Sequence, residues 1–159
     1  MTSKKILVRG ANGFIGQELC KSLILDRTNI IQVVRKSSQG NQLQMGSFSY
    51  ATDWADALNS CEIILHLAGR AHVLNEGLTD SLAAFRVINV DATINLARQA
   101  AKIGVKRFIF ISSFRVNGAE TFFQPFSEST MPYPCTDYAL SKLEAKDRLI
   151  KVCNSSNMV

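Results

Sequence analysis

Residues 4–16 read KKILVRGANGFIG, and this stretch indicates the fold class more directly than any other part of the sequence. The short apolar run ILV is typical of a buried β-strand, and a glycine follows that strand almost at once. Gly10 allows a tight turn, Gly13 allows a pyrophosphate to approach the backbone, and Gly16 allows the next helix to pack closely on the sheet. The N-terminus of that helix offers unpaired N–H groups to phosphates. The stretch therefore predicts a strand–turn–helix unit that binds a dinucleotide.

The remainder of the chain alternates apolar runs with segments of helical period. The predicted strands are at 4–10, 29–36, 62–69 and 106–113. The predicted helices are at 16–25, at 52–60 with Thr52 or Asp53 as N-cap, at 78–104 ending at Gly104, and from Tyr138 to about residue 152. Residues 37–50 are loop-like, with a weak strand expected near 46–50, and 116–137 is an irregular, proline-containing loop. Alternation of this kind predicts a doubly wound parallel α/β sheet.

The composition is that of one compact domain, since 47% of the 159 residues are hydrophobic and 19% are charged. No apolar run approaches the roughly 20 residues of a membrane span, and the first apolar run is too short for a signal peptide. The four cysteines have no CxxC spacing and no histidine cluster near them, which argues against a disulfide framework or a zinc site. We therefore expect a cytoplasmic protein that binds no metal.

The formal charge is +5, and the 18 basic residues are spread along the chain. Nucleic-acid binding favours a basic stripe interleaved with aromatic residues, and the sequence has no such stripe. A mildly basic domain is compatible with binding a small polyanion such as a dinucleotide or a nucleotide sugar. It is equally compatible with binding no ligand, so the charge does not decide between the two. We expect neither nucleic acid nor a membrane among the partners.

The end of the second predicted strand bears on which dinucleotide binds. An acidic residue there would bind a ribose 2′-hydroxyl, whereas a basic residue accommodates a 2′-phosphate. The sequence has Arg35 and Lys36 at this point, followed by two serines, and no acid. This favours NADP over NAD, while a solvated basic loop is the alternative interpretation.

A serine, a tyrosine and a lysine complete the candidate site. Ser112 and Ser113 end the strand predicted at 106–113, and Tyr138 and Lys142 are four apart on the last predicted helix, so they are neighbours there. Tyrosine has an ordinary pKa near ~10 and needs a nearby cation to transfer protons at neutral pH. Lys142 supplies that cation, and Ser113 can hydrogen-bond the reacting oxygen. The YxxxK spacing is common by itself, but its position after the glycine turn and a serine-ended strand favours catalysis.

Two further polar residues lie near this predicted site. His66 falls within the strand predicted at 62–69, and we expect a buried histidine with its hydrogen bonds satisfied rather than a catalytic one. Arg70 follows that strand and is expected at the rim of the site, where it either meets a diphosphate or faces solvent.

Taken together, these motifs resemble the extended short-chain dehydrogenase/reductases, and within them the NAD-dependent epimerase/dehydratase family that acts on nucleotide sugars. The matching stretches are ILVRGANGFIG (6–16), EIILHLAG (62–69), NVDATINLARQAAKIGVKRFIFISS (89–113) and YALSK (138–142). They occur in the family's order over nearly the whole chain. Three further stretches resemble the sequences of the UDP-glucose 4-epimerase-like enzymes of bacterial surface-polysaccharide synthesis: TDWADAL (52–58), HLAGRAHV (66–73) and SSFRVNG (112–118).

The resemblance implies functions for individual residues. Ser113, Tyr138 and Lys142 match the family's catalytic serine or threonine and its Tyr–Lys pair. Leu67, Ala68 and Gly69 match the turn on the adenosine side of the cofactor, and Asn89 matches a helix asparagine that supports the active-site end. The full set of expected cofactor contacts is Gly10, Asn12, Gly13, Phe14, Ile15, Gly16, Arg35, Lys36, Ser47, Phe48, Leu67, Ala68, Gly69, Asn89, Ser112, Tyr138 and Lys142.

The chain also departs from the family's pattern. Arg9 stands where a small threonine is usual, and Ser47 and Phe48 stand where an acid and an aliphatic residue usually contact adenine. Neither departure removes a catalytic group. The change at Ser47 puts the usual adenine contact in doubt.

The family's members are about twice as long as this chain. The resemblance implies a Rossmann-type sheet of order 3-2-1-4-5, with residues 1–159 as a partial NAD(P)-binding domain and the C-terminal substrate-binding part absent. We expect such a fragment to bind cofactor weakly and to turn over little or no nucleotide sugar. The uncovered edge of strand 5 is expected to favour self-association, and a homodimer is one form this could take.

Three functions stay open at this stage. The leading hypothesis is a UDP-sugar 4-epimerase that uses NAD or NADP. An NADPH-dependent 4-keto-sugar reductase is the second, and Arg35 and Lys36 suit it better. The third is a non-catalytic dinucleotide-binding module, since the fold supports both uses.

Overall fold

In the part of the chain that the structure describes, five parallel strands form one sheet. The computed structural model describes residues 5–36, 42–71, 80–121 and 123–159. The strands are β1 (Lys5–Arg9), β2 (Asn29–Val34), β3 (Gln42–Gln44), β4 (Cys61–His66) and β5 (Arg107–Phe110). Their spatial order is β3-β2-β1-β4-β5, and every neighbouring pair is parallel. The predicted α/β architecture and strand order are confirmed.

Helices cover both faces of this sheet. They are α1 (Phe14–Leu25), α2 (Ala55–Leu58), α3 (Ser81–Arg86), α4 (Ala92–Ile103) and α5 (Asp137–Asn154). Successive residues of a strand point to opposite faces, so Leu7 packs in the core that contains α4 and α5, while Val8 packs with Cys20 of α1. The apolar runs in the sequence are explained by this two-sided burial.

The helix predicted at 78–104 contains a local change of period. A π-helical turn, Val87–Asp91, joins α3 to α4, and residues 78 and 79 lie outside the described part of the chain. Gly104 ends α4 in the left-handed region, with φ of 84°, as predicted. The π-turn inserts a residue without breaking the helix. The sequence pattern gave no sign of it, because one inserted residue hardly disturbs an apolar stripe.

One prediction for the segment after β2 is wrong. The strand expected near 46–50 lies instead at Gln42–Gln44, where β3 pairs with the end of β2. Residues 46–50 leave the sheet because Gly46 has a φ of 68°, and Phe48 then turns into the core. The predicted loop at 37–41 lies outside the described residues.

The helix predicted at 52–60 is shorter and begins later than expected. It runs from Ala55 to Leu58, and Trp54 is its N-cap. Thr52 is held outside the helix because its hydroxyl accepts a hydrogen bond from the Ser49 N–H at 2.8 Å. Asp53 accepts a hydrogen bond from the Ala55 N–H at 2.9 Å. Both predicted caps therefore stabilise the turn that leads into α2.

The last residues of the described chain lie along β5. The Phe108 N–H donates to the Val159 carbonyl at 2.8 Å, and the Val159 N–H donates to the Lys106 carbonyl at 3.0 Å. Met158 is buried in the core. The expected uncovered edge of strand 5 is thus paired at Phe108. Among the described helices, none combines the length and the apolar character needed to cross a bilayer.

Candidate active site at the carboxyl edge of the sheet

The turn between β1 and α1 has the close packing that its glycines permit. Gly10 has a φ of 90°, and a Cβ there would lie 2.8 Å from the Ala68 nitrogen. A Cβ on Gly16 would overlap the Gly10 carbonyl oxygen. Gly13 is the N-cap of α1 and supplies no side-chain hydrogen bond. The first N–H groups of the helix therefore lack a side-chain cap and can donate to an anion.

A cavity of about 580 Å³ opens beside this turn. Several expected cofactor contacts line it: Gly10, Asn12, Gly13, Arg35, Ser47, Phe48, Leu67, Ala68 and Gly69. The turn after β1 thus meets the turn after β4, as the adjacent pairing of those strands requires. The lining also includes residues that the sequence analysis did not predict, namely Arg9, Val33, Val34, Ala71 and Ile88.

Other expected contacts do not line the cavity. These are Phe14, Ile15, Gly16, Lys36, Asn89, Ser112, Tyr138 and Lys142. Phe14 and Ile15 point to solvent, with Phe14 95% exposed. Gly16 lies under the turn, and the Lys36 carbonyl accepts a hydrogen bond from the Asn12 amide at 3.3 Å. Phe14, Ile15, Gly16 and Lys36 thus lie around the glycine turn without lining the cavity.

The charge of the cavity wall is positive. Arg9, Arg35 and Arg70 line it, and no aspartate or glutamate does so among the described residues. Arg35 is exposed at the end of β2, whereas Arg9 is almost completely buried. A wall of this composition suits a phosphate-bearing ligand.

Ser113 and Tyr138 are presented by neighbouring elements. Ser113 follows β5 and is the N-cap of a 3₁₀ turn, Phe114–Val116, in which its hydroxyl accepts from the Arg115 N–H at 3.3 Å. Tyr138 lies in the first turn of α5, which Thr136 caps. The ring of Tyr138 packs edge-on against Phe85, with a centroid separation of 5.9 Å. Both side chains are half-buried.

Lys142 lies at the edge of the cavity. It lies one turn after Tyr138 on α5, and its Nζ donates to the Ile111 carbonyl at 2.7 Å, two residues before Ser113. Burial, and then the positive charge of Arg9, lower the pKa of Lys142 to about 8. A Cβ on Gly69, a cavity residue, would lie 3.9 Å from this Nζ. The lysine head group therefore lies beside Gly69 of the cavity wall and at the end of β5.

Asn89 links the turn after β4 to α5 through side-chain hydrogen bonds. Its Oδ1 accepts from the Arg70 N–H at 2.8 Å, and its Nδ2 donates to the Arg70 carbonyl and the Ser141 hydroxyl, each at 3.0 Å. Ser141 in turn donates to the Tyr138 carbonyl at 2.7 Å. Asn89 lies in the π-turn, and it positions the backbone on both sides of the site without lining the cavity.

His66 and Arg9 form a buried pair beneath the site. His66 is 1% exposed, and its Nε2 lies 2.5 Å from Arg9 Nη1 and 2.9 Å from the Thr93 hydroxyl. The predicted burial of His66 is confirmed, but its hydrogen bonds are only partly satisfied, because Nδ1 is buried with no partner among the described residues. The pairing with Arg9 could not be foreseen, because it depends on the register that places Arg9 opposite His66 in adjacent strands.

A model of the NAD dependent epimerase/dehydratase family matches residues 6–159. The UDP-glucose 4-epimerase of Vibrio cholerae is 39% identical over 160 residues, which are 98% of this chain and 49% of that protein. The chain spans about half the length of the curated relatives it matches.

Solved structures agree with this relationship. A short-chain dehydrogenase/reductase superfamily protein from Agrobacterium tumefaciens with bound NAD has a TM-score of 0.83 at 25% identity, covering 97% of this chain and 46% of that one. MoeE5 in complex with UDP-glucuronic acid and NAD also has a TM-score of 0.83 at 25% identity, covering 97% and 52%. On the sequence match, the strand order and the glycine turn together, this chain belongs to the NAD-dependent epimerase/dehydratase family of the short-chain dehydrogenase/reductases.

Proposed function

We propose that the protein is an NAD(P)-dependent nucleotide-sugar oxidoreductase, and specifically a UDP-sugar 4-epimerase. The observation that carries this proposal is the position of Lys142. Its ammonium is held at the Ile111 carbonyl, two residues before Ser113 and one helical turn after Tyr138, and it adjoins the cavity at Gly69. The 39% identity to the Vibrio cholerae UDP-glucose 4-epimerase supports the choice of reaction.

A dinucleotide fits the residues of the cavity. The backbone at Gly10 approaches Ala68 more closely than any side chain would allow, and the α1 N-terminus lacks a side-chain cap. Basic residues line the wall, and two solved relatives carry NAD. When bound, the nicotinamide would accept hydride from the sugar and return it.

The side chains would then handle the proton. Tyr138 would take the proton of the sugar hydroxyl, and the ammonium of Lys142 lies one helical turn further along α5. Ser113 would hydrogen-bond the same oxygen and hold it in line with the phenol. Tyr138 would give the proton back when the keto sugar is reduced on its opposite face. No net oxidation results, which distinguishes an epimerase from a reductase.

The choice between NAD and NADP turns on Arg35. This exposed residue lines the cavity at the end of β2, and no described acidic residue lines the cavity with it. A basic residue here accommodates a 2′-phosphate, so we propose that NADP binds at least as well as NAD. The same observation also supports a second candidate function, an NADPH-dependent 4-keto-sugar reductase.

Residues 1–159 would supply the cofactor-binding and proton-transfer part of a longer protein. The half-length match to the relatives supports this division. We propose that the residues that select the sugar lie elsewhere in the whole protein, and that it acts in surface-polysaccharide synthesis in the cytoplasm. The 159-residue chain alone would bind cofactor but turn over little sugar. Dimerisation stays a prediction.

Two measurements on the whole protein test this assignment. Incubation with a UDP-hexose and catalytic amounts of cofactor should give the 4-epimer without net change in absorbance at the reduced-nicotinamide wavelength. Stoichiometric consumption of NADPH with a 4-keto sugar would instead assign the reductase. Tyr138→Phe should lower turnover by about 10²-fold or more, since it removes the proton-transfer group. Undiminished turnover in this variant would exclude Tyr138 as the acid–base, whereas a wild-type protein that binds cofactor without any turnover would favour a non-catalytic module.

A further inference from the structure

Arg9 occupies an unusual position for a cation. It is the last residue of β1, immediately before Gly10, and it is 1% exposed although it lines the cavity. Its guanidinium carbon lies 4.6 Å from the centroid of the Phe48 ring and 5.7 Å from that of Trp54. The aromatic rings hold the guanidinium in one place, and such contacts are worth more when the cation is desolvated.

The polar partner of Arg9 cannot balance its charge. Arg9 Nη1 is a donor, so His66 Nε2, 2.5 Å away, must accept with its lone pair. His66 is therefore the neutral tautomer with its proton on Nδ1. Burial, and then the positive charges of Arg9 and Lys142, lower the pKa of His66 well below its usual value. The imidazole acts as an uncharged support.

No carboxylate of the described chain compensates Arg9 either. The ion pairs that the structure shows among these residues join Lys21 to Glu18, Arg86 to Glu144 and Arg148 to Asp91. Burial lowers the pKa of Arg9 to about 9, so the guanidinium is still protonated at neutral pH. Its Nε–H, moreover, is buried with no hydrogen-bond partner among the described residues.

A buried cation without a counter-ion is costly. The cost falls when a ligand brings negative charge and acceptor oxygens to the same place. The cavity that Arg9 lines is also lined by Gly10 and Gly13, in the turn where the α1 N-terminus would accept a phosphate. The site is therefore deficient in negative charge at the point where a dinucleotide would bring it.

We propose that Arg9 is an anion-binding residue of the dinucleotide site, and that its counter-ion is a phosphate group of the bound dinucleotide. This inference rests on the proposed function for the identity of the ligand. Phe48 and His66 hold the guanidinium beneath the cavity in advance, so binding does not require it to be ordered. The phosphate is either the pyrophosphate, common to both dinucleotides, or the 2′-phosphate of NADP.

The test compares wild-type chain, Arg9→Met, Arg9→Gln and Arg9→Lys by fluorescence titration with NADH and NADPH. Arg98→Met, which removes an exposed arginine on α4, controls for net charge. We expect Arg9→Met and Arg9→Gln to weaken binding by about tenfold or more, the size of a lost charged hydrogen bond. Arg9→Lys should recover part of the loss, and Arg98→Met should bind as wild type. Equal losses of affinity for NADH and NADPH would show that Arg9 binds the pyrophosphate. A loss of affinity confined to NADPH would show that it binds the 2′-phosphate.

A second readout separates ligand binding from a structural function of Arg9. Without ligand, Arg9→Met should melt at or above the wild-type temperature, because an uncompensated buried cation is replaced by an apolar side chain. Adenosine, which carries no phosphate, should compete with NADH equally well for both proteins. Unchanged dinucleotide affinity in both Arg9→Met and Arg9→Gln would overturn the inference about Arg9 but not the proposed function. A loss of adenosine affinity equal to the loss of dinucleotide affinity would do the same. Failure of the wild-type chain to bind either dinucleotide would overturn the proposed function as well.

Discussion

The Nζ of Lys142 donates a 2.7 Å hydrogen bond to the Ile111 carbonyl, which joins the middle of the last helix to the end of β5. The same ammonium lies 4.0 Å from the centroid of the Phe110 ring. Two contacts to consecutive residues hold a long, flexible side chain in one place. The positive charge is thereby fixed at the end of β5, two residues before Ser113 in the chain.

The buried ammonium predicts a dependence of stability on pH. The pKa of Lys142 is about 8 in the folded chain and near ~10.4 when unfolded. Between these values the unfolded state binds more protons, so the free energy of unfolding rises with pH. Relative to Lys142→Met, the wild-type chain should gain on the order of 1–3 kcal/mol between pH 7.5 and 10.5. Urea unfolding across this range measures the difference, and a flat or falling difference would contradict it.

Asn89→Ala should loosen the site as well as destabilise the chain. The change removes three hydrogen bonds, two of them to the backbone of Arg70 beside the cavity. We expect a loss of roughly 2–3 kcal/mol in the free energy of unfolding, together with weaker NADH binding. Asn95→Ala is the matched control on α4, because Asn95 bonds the Thr52 and Ser49 carbonyls. If both variants lost cofactor affinity equally, the positioning function of Asn89 would be wrong.

Gly16→Ala should abolish dinucleotide binding at concentrations that saturate wild type. The added methyl group would overlap the Gly10 carbonyl, so the turn must move away from the position that we propose receives phosphate. Gly104→Ala serves as the control. It introduces strain at a φ of 84°, but it meets nothing within 4 Å and lies at the far end of α4, so it should cost about 1 kcal/mol of stability and no affinity. Calorimetric titration with NADH decides the point.

Arg35→Met should weaken NADPH binding by about tenfold and leave NADH binding nearly unchanged. Arg35 is exposed at the edge of the cavity, so its attraction for a 2′-phosphate should also decline as salt is raised. Lys102→Met removes an exposed cation on α4 and controls for net charge. An equal loss of NADH and NADPH affinity would mean that Arg35 does not distinguish the two cofactors.

Much of the site could be predicted because its residues are close in sequence. The turn from Gly10 to Gly16 lies within one strand–turn–helix unit, where local backbone geometry limits the residue types. Tyr138 and Lys142 share a helical face through their spacing alone. The shift of β3 to 42–44 escaped prediction because a three-residue strand has too few positions for a period to show.

By itself, the sequence determined the parallel α/β sheet, the glycine turn and the presence of a serine, a tyrosine and a lysine suited to proton transfer. Those features depend on local residue spacing and on apolar runs, which are properties of the sequence before any tertiary contact forms. Only the tertiary structure decided that Lys142 meets Ile111, that Asn89 joins the Arg70 turn to α5, and that Arg9 lies buried against His66. Each of these contacts joins residues from separate elements. They exist because strand register and helix packing bring those elements to one edge of the sheet, and no local pattern encodes that meeting.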